Sequence, residues 1–449
     1  MALFVYTCLS YLALPFGVAL HLLFIWRRAE FRRGFWQRYG WLPKKHHQPV
    51  LVHAASVGEL NAIAPLINAI ISELKFPVLV TTTSVTGQAR CQQLFADNDR
   101  VSGCFLPFDL GVANGLMLRR IKPRAVLLVE TELWPNLIAH CASKNIPTIL
   151  VNGRLSARSA RAYARLPWLV APMLQKLTQL LVQDQAAAQR FIDLGAPVSS
   201  VSVLGSLKYD LVMPDSEVDY LGSLVPEGLC WVCGSTRSGE EVSLLRAWVQ
   251  LPEQVNGTLV LVPRHPQRFD EVADLCQQSG LPWLRYSGTD PDPDSDPNPN
   301  SDSDSDSNSL EQAVVDVQAY QSHPRRILLV DTMGLLMHFY RRADVVFVGG
   351  SLANTGGHNP LEAAALGKAV LMGPNCFNFT QVCDQLERVQ ALRVTTKACL
   401  LDDITQLLTD PQLRLAMGAA GAALVDQQKG ALKRHLLTIE TTLEQALNQ

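Results

Sequence analysis

The stretch VLVHAASVGEL (residues 50–60) carries one acid, Glu59, just past a short apolar run. Ala54, Ala55, Ser56 and Gly58 surround it with small side chains, which leave space for a ligand at the mouth of a strand. Two chemistries suit such an acid. In the first turn of a following helix the macrodipole favours an anion, a purely structural use. Facing a substrate hydroxyl, the same carboxylate is a general base. Other charged groups stand at comparable positions. RAVLLVETELWPN ends an apolar run with Glu130 and Glu132, and VLGSLKYD sets Lys208 just past another. VNGRLSARSARAYA presents Arg154, Arg158 and Arg161. Arg158 and Arg161 share one helical face, a spacing that suits phosphate contacts. A solvated basic face is the ordinary alternative.

The second half offers groups of another kind. LVLVPRHPQRF ends a run with Pro263, Arg264 and His265, and arginine at a strand's carboxyl end suits bidentate phosphate contact. LLVDTMGLL places the Met333-Gly334 turn after a run, where backbone N–H groups can face an anion or a base. In VVFVGGSLANTGGHNPLEAAALGKAVLMGP, two glycine pairs precede NPLE and an Ala-rich helix. Asn359 is a good N-cap, Pro360 fits the first helical position and Glu362 falls at the third, close to a capping box. Glu362 therefore has a structural role available, and it can equally accept two hydrogen bonds from a ribose diol. The spacing leaves both readings open.

These residues need elements to hold them. In the first half the apolar runs include VLVHA, FPVLVTTT, RAVLLVE, PTILVN and QLLVQD; in the second, LCWVCGS, GTLVLVPR, RILLVD, VVFVGGS and AVLMGP. Val/Ile/Leu-rich runs without alternation, each followed by a helical pattern, predict parallel strands covered on both faces. Two such series predict an α/β protein of two doubly wound domains facing a cleft. At 449 residues the chain is too long for one ordinary core. The pattern breaks at MPDSEVDYLGSLVPEG, so the join is placed near residues 212–228. The expected division is 27–215 for the first domain, 225–430 for the second and 431–449 for a C-terminal helix.

With 48% hydrophobic and 18% charged residues and a net charge of −2, nothing drives the whole molecule toward nucleic acid. Of the ten cysteines, Cys230 and Cys233 match C-x-x-C, but they lie in an apolar run that sends alternate side chains to opposite faces. Buried, unlinked thiols are expected. Residues 1–26 contain no Lys, Arg, Asp or Glu, and Arg27, Arg28, Arg32, Arg33, Arg38, Lys44 and Lys45 follow. That order predicts a signal-anchor helix with the remaining chain on the cytoplasmic side, rather than a cleaved leader. Pro15 and Gly17 also allow a re-entrant or interfacial helix. The segment 287–310 is acidic, Pro-rich and of low complexity, and disorder is expected there. Its D-P-D and D-S-D triplets lack a rigid strand end, so no metal is expected to be required.

Taken together and in order, HAASVGE, VETELWPN, RLSARS, GSLKYD, PRHPQRF, DTMGLL and GGHNPLEAAA resemble the bacterial 3-deoxy-D-manno-octulosonic acid (Kdo) transferases. The resemblance runs from the N-terminal helix to the C-terminal one and leaves out only the acidic insert. It implies an inverting, metal-independent glycosyltransferase of GT-B type with no cofactor beyond its donor, CMP-Kdo. The implied acceptor is the tetraacyldisaccharide 4′-phosphate precursor of lipid A (lipid IVA), met at the cytoplasmic face of the inner membrane for lipopolysaccharide synthesis. Carried over by position, Glu59 is the proton acceptor, and Glu130 and Lys208 stabilise the transition state. CMP is held by Pro263, Arg264, Met333, Gly334, Leu335, Asn359, Pro360, Leu361 and Glu362. Leu335 stands where the family usually has an acid. A UDP-hexose donor on the same fold, or a non-catalytic nucleotide or lipid sensor, are the competing readings.

Overall fold

The computed structural model describes residues 2–27, 32, 34–210, 224–226, 228–288 and 318–447. The acidic segment from residue 289 onward, and most of the expected join, lie outside the described residues. The chain divides into two compact units, Met1–Asp210 with Gln428–Gln449, and Leu211–Gln427.

Unit 1 holds a seven-stranded parallel sheet of β1 (Val50–His53), β2 (Val78–Thr82), β3 (Val101–Phe105), β4 (Ala125–Val129), β5 (Thr148–Gly153), β6 (Gln179–Val182) and β7 (Val201–Val203). Their order is β3-β2-β1-β4-β5-β6-β7. Unit 2 repeats the plan with β8 (Leu229–Thr236), β9 (Gly257–Pro263), β10 (Trp283–Arg285), β11 (Arg325–Leu329), β12 (Val345–Val348), β13 (Ala369–Met372) and β14 (Leu392–Val394). Here the order is β10-β11-β9-β8-β12-β13-β14, again parallel throughout.

Every residue of β1, β2, β4 and β5 is buried, as is every residue of β9, β12 and β13. Helices cover both faces, so these strands have no polar side to alternate with. The apolar runs of the sequence mark them for that reason. Four strands carry no such run: β3, β7, β10 and β14, the edges of the two sheets. They are short or only partly buried, so their residues need not be apolar.

Both sheets reverse their winding beside the first strand. In unit 1 the chain moves outward from β1 through β2 to β3, then returns to lay β4 on the other side of β1. In unit 2 the same reversal brings β12 beside β8. At such a switch point the loops leaving adjacent strands diverge, and a crevice opens at the carboxyl ends.

A helix forms at Ala2–Arg27, where the uncharged N-terminal segment predicts one. Among the described residues, however, no helix is long and apolar enough to cross a membrane. The N-terminal helix carries polar side chains that engage unit 1. Tyr6 Oη donates to Asp109 at 3.1 Å, Thr7 Oγ1 donates to Asn136 at 2.7 Å, and Tyr11 Oη accepts the Val112 N–H at 3.1 Å. It is docked along the domain, with Phe4, Leu9, Leu12 and Phe16 left exposed on its free side.

The C-terminal helix Ala431–Leu447 belongs to unit 1. Asp210 accepts the Gly430 and Leu432 N–H groups at 2.6 Å each. His435, fully buried, accepts the Asn152 N–H on Nε2 at 3.2 Å, and burial pushes its pKa down to about 4. Ile439 and Leu443 complete the core formed by β1, β2 and the Val57–Ser72 helix. Ile439→Ala is expected to cost ~2–5 kcal/mol. Chemical denaturation should show unit 1 unfolding earlier while the buried Trp231 and Trp248 of unit 2 report an unchanged transition.

Candidate active site

The crevice between β1 and β4 gathers the acids of the first half. Ser56 caps the Val57–Ser72 helix, its Oγ accepting the Glu59 N–H at 3.2 Å and donating to Glu59 Oε1 at 3.0 Å. Ala55 N–H donates to Glu59 Oε2 at 2.8 Å. This is a variant of the capping box, written in the sequence as Ser-x-x-Glu, in which the acid reaches the N–H of the residue before the N-cap. Glu59 thus has a fuller structural role than the helix dipole alone predicts. Its environment is nonetheless unusual for a cap. Burial pushes its pKa up, the Ala55 N–H draws it back, and the charges of Glu130 and Glu132 push it up again. A carboxylate moved toward neutrality is better matched to proton abstraction than an ordinary one.

Glu130 follows β4 directly. It is buried and holds φ at +56°, a left-handed backbone that ordinary side chains rarely adopt. Its Oε2 meets Arg154 Nε at 2.8 Å and its Oε1 meets Lys208 Nζ at 3.5 Å. Strain of this kind persists where the surroundings over-determine a side chain's position, and it clusters at functional sites. Glu132 accepts from His53 Nε2 at 3.2 Å and from Trp134 Nε1 at 3.1 Å. His53 is fully buried, with Nδ1 against the Thr81 carbonyl at 3.0 Å. Glu59, Glu130, Arg154 and Lys208 therefore meet at one crevice. Arg158 and Arg161 lie exposed on the helix Ala157–Tyr163, capped by Ser156.

In unit 2 the second crevice is cationic. Past β8, Arg237 Nε donates to His358 Nε2 at 3.3 Å, and its Nη1 meets His265 Nε2. Burial, then Arg237, Arg264 and His265, push the His358 pKa down to about 4, so this imidazole is a neutral acceptor. Arg264 is exposed, and burial together with Arg264 depresses Arg237 itself. Cations clustered closely enough to depress Arg237 are arranged for an anion. Arg268, by contrast, is committed to the buried Glu241 at 2.7 Å.

The glycine loop after β12 is held from beneath. Glu240, fully buried, accepts the N–H groups of Gly350 (2.8 Å), Leu352 (2.8 Å), Ala353 (3.1 Å) and Arg237 (2.9 Å). An added Cβ at Gly349 would collide with the Ser235 carbonyl, so only glycine lets the loop lie this close to β8. The short helix Leu361–Ala365 starts one residue later than the sequence predicts, after Pro360. Asn359 Oδ1 accepts the Leu361 N–H at 3.2 Å, and Asn359 Nδ2 donates to Glu362 Oε1 at 3.3 Å. Burial pushes the Glu362 carboxyl up. Gly334 takes φ +95° in open space, and Leu335 precedes the helix Leu336–Arg342. Pro263 ends β9 and is buried, while Met333 is exposed.

Sequence reasoning missed His53, Arg237, Glu240 and His358. Glu240 and Arg237 lie in STRSGEE, and Glu240 points back to a loop more than a hundred residues ahead. Proximity of that kind leaves no local pattern. His53 and His358 lie inside quoted motifs, but nothing in their spacing distinguishes a buried positioning imidazole from any other.

Two doubly wound parallel-sheet units, each with a charged crevice at its switch point, define a protein of the GT-B-like class. The overall fold is shared with MurG from Acinetobacter baumannii (TM-score 0.51, 14% identity, 88% of this chain and 100% of that chain). Residues 33–211 match the family model of 3-deoxy-D-manno-octulosonic-acid transferases (kdotransferase). The chain is 32% identical to a 3-deoxy-D-manno-octulosonic acid transferase of Haemophilus influenzae, over 98% of this chain and 99% of that protein. It is 34% identical to one of Bordetella pertussis, over 94% and 96%. The chain belongs to the 3-deoxy-D-manno-octulosonic acid transferase family, and is a glycosyltransferase.

Glu132→Gln removes a negative charge that holds the Glu59 pKa up. With less like charge nearby, ionised Glu59 is less disfavoured, so the acid limb of the kcat/KM–pH profile is expected to move to lower pH. An acid limb that stays in place, or moves to higher pH, would contradict this electrostatic coupling.

Proposed function

We propose that the chain transfers Kdo from CMP-Kdo to the lipid A precursor lipid IVA, with inversion at the anomeric carbon and no metal in the step. Glu59 carries this reading: a half-buried carboxylate at a sheet switch point, its pKa pushed up by burial and by two neighbouring acids. The acceptor hydroxyl gives its proton to Glu59 as its oxygen bonds to the anomeric carbon. The bond from that carbon to the CMP phosphate oxygen breaks, and CMP leaves with the electron pair. One displacement, made opposite the leaving group, inverts the centre.

In unit 2 Arg264 stabilises the charge on the departing phosphate, and in unit 1 Glu130 and Lys208, paired with each other, stabilise the transition state. Arg237 adds to the same cationic surface as Arg264, and His265, its pKa lowered by burial and by the neighbouring arginines, accepts from Arg237 as a neutral imidazole. Pro263 and Arg264, Met333 to Leu335, and Asn359 to Glu362 hold CMP, with backbone groups serving at Leu335 in place of an acid. Arg158 and Arg161 take the acceptor phosphates on their exposed helix face. The protein works at the cytoplasmic face of the inner membrane. Support for this comes from the exposed Phe4, Leu9, Leu12 and Phe16 on a helix that lies along the domain, followed by basic residues. An interfacial attachment satisfies these observations without a span.

The test is purified protein with CMP-Kdo and lipid IVA, and products weighed after short and long times. One Kdo mass or more should be added; addition of hexose from UDP-sugars alone would sink the donor assignment. Glu59→Gln is expected to fold and bind CMP while transfer falls ~10²–10⁴-fold. Near-normal transfer by that variant would remove Glu59 from the mechanism. Exhaustive chelation should leave the wild-type rate unchanged, and a chelator-sensitive rate restored by a divalent cation would overturn the metal-free step.

A further inference from the structure

A cavity of about 420 Å³ lies in unit 1 beneath the N-terminal helix. That volume falls within the ~300–1,000 Å³ of sites that enclose small ligands. Ala13, Leu14, Gly17 and Val18 of the helix form one wall, and Phe108 and Leu110 face them. The lining is mostly apolar by residue type, and two of the helix positions carry little or no side chain.

Four observations point to an occupant. His21, at 7% exposure, borders the cavity; its Nδ1 meets the Tyr39 hydroxyl at 3.3 Å, and its Nε2 has no hydrogen-bond partner among the described residues. A buried polar atom left unpaired calls for a partner, which the carbonyl at the head-group end of an acyl chain can bring. Arg38, also on the lining, donates to the Thr83 carbonyl at 3.0 Å and lies over the Phe105 ring, yet it has no carboxylate partner among the described residues. A partly buried cation without a counter-ion suits an anionic head group. The cavity floor also leads to the candidate base. Thr83 Oγ1 donates to the Ala55 carbonyl at 3.0 Å, and Ala55 N–H donates to Glu59 at 2.8 Å. On the other side of the same helix, Phe4, Leu12 and Phe16 are exposed, so a chain entering from lipid meets apolar surface first.

We propose that this cavity holds one acyl chain of the acceptor lipid and so presents the acceptor's head group to Glu59. The assignment rests on the transferase reading above, because that reading supplies the acylated, phosphorylated acceptor. An unbranched chain fits a slot walled by Gly17 and Ala13, and Arg38 at the Thr83 end meets the negative charge of the head group. Tight seating of the chain contributes to acceptor binding.

Gly17→Phe tests it. No heavy atom lies within 4 Å of the Cβ position at Gly17, so the added ring has room to enter the cavity. Full-length wild type and variant are titrated with lipid IVA in detergent micelles without donor, and then assayed with CMP-Kdo. The variant's acceptor Kd and KM are expected to rise about tenfold, with kcat, the KM for CMP-Kdo and the melting temperature unchanged. Equal acceptor affinity in the two proteins overturns the proposal. A wild type that binds lipid IVA in this Gly17-dependent way but transfers no Kdo upholds the cavity and sinks the transferase reading; Kdo transfer with identical acceptor KM does the reverse. Should Gly17→Phe fail to fold, wild-type protein is photolabelled with lipid IVA carrying a diazirine at the end of one acyl chain. Label on Phe108 or Leu110, across the cavity from the helix, supports the cavity, and label confined to the exposed face of the helix or to other surfaces overturns it.

Discussion

The reversal of winding beside the first strand is the constraint on which each unit depends. A parallel strand ends with backbone groups pointing out of the sheet, and its following loop normally folds back over them. Where two adjacent strands send their loops to opposite faces, that cover is missing and polar side chains must occupy the opening. In unit 1 Glu59 and Glu130 stand there, one after β1 and one after β4. In unit 2 Arg237 follows β8 and the glycine loop follows β12. The topology decides where chemistry is possible before any side chain is chosen.

The two crevices are filled with opposite electrostatics. In unit 1 the charges of Glu130 and Glu132 push the Glu59 pKa up, and Arg154 and Lys208 both pair with Glu130. The left-handed backbone at Glu130 is the cost of turning that carboxylate toward both cations. In unit 2 the acids are withdrawn into structural duty. Glu240 is spent on four backbone N–H groups and Glu241 on Arg268, which leaves Arg237, Arg264 and His265 as the groups facing outward.

Unit 1 is closed by segments from both ends of the chain. Asp210 and His435 pin the returning C-terminal helix, and Tyr6 and Thr7 pin the N-terminal one. The Val57–Ser72 helix that carries Glu59 at its start is packed on its far side by Ile439 and Leu443. The position of the candidate base thus depends on residues nearly four hundred positions away in sequence.

Much of this is legible in the sequence, for a physical reason. Interior strands of a helix-covered parallel sheet are apolar on both faces, so runs such as RAVLLVE and VVFVGGS identify themselves. The edge strands β3, β7, β10 and β14 do not, because one side of each is partly solvated. The motifs that resemble the Kdo transferases likewise lie at the ends of identifiable runs, and Glu59, Glu130 and Lys208 lie in unit 1 around the crevice between β1 and β4. What it could not reveal are contacts between distant segments. His53 beneath Glu132, Glu240 beneath the glycine loop and the N-terminal helix docked over a cavity are relations between residues that share no periodicity. The sequence by itself determined strand identity, charge type and family, because each depends on the local order of side chains. Tertiary structure alone decided which charges share a crevice, which are buried and so shifted in pKa, and whether an apolar helix lies along the domain. Those depend on through-space distance and desolvation, which exist only once the chain has folded.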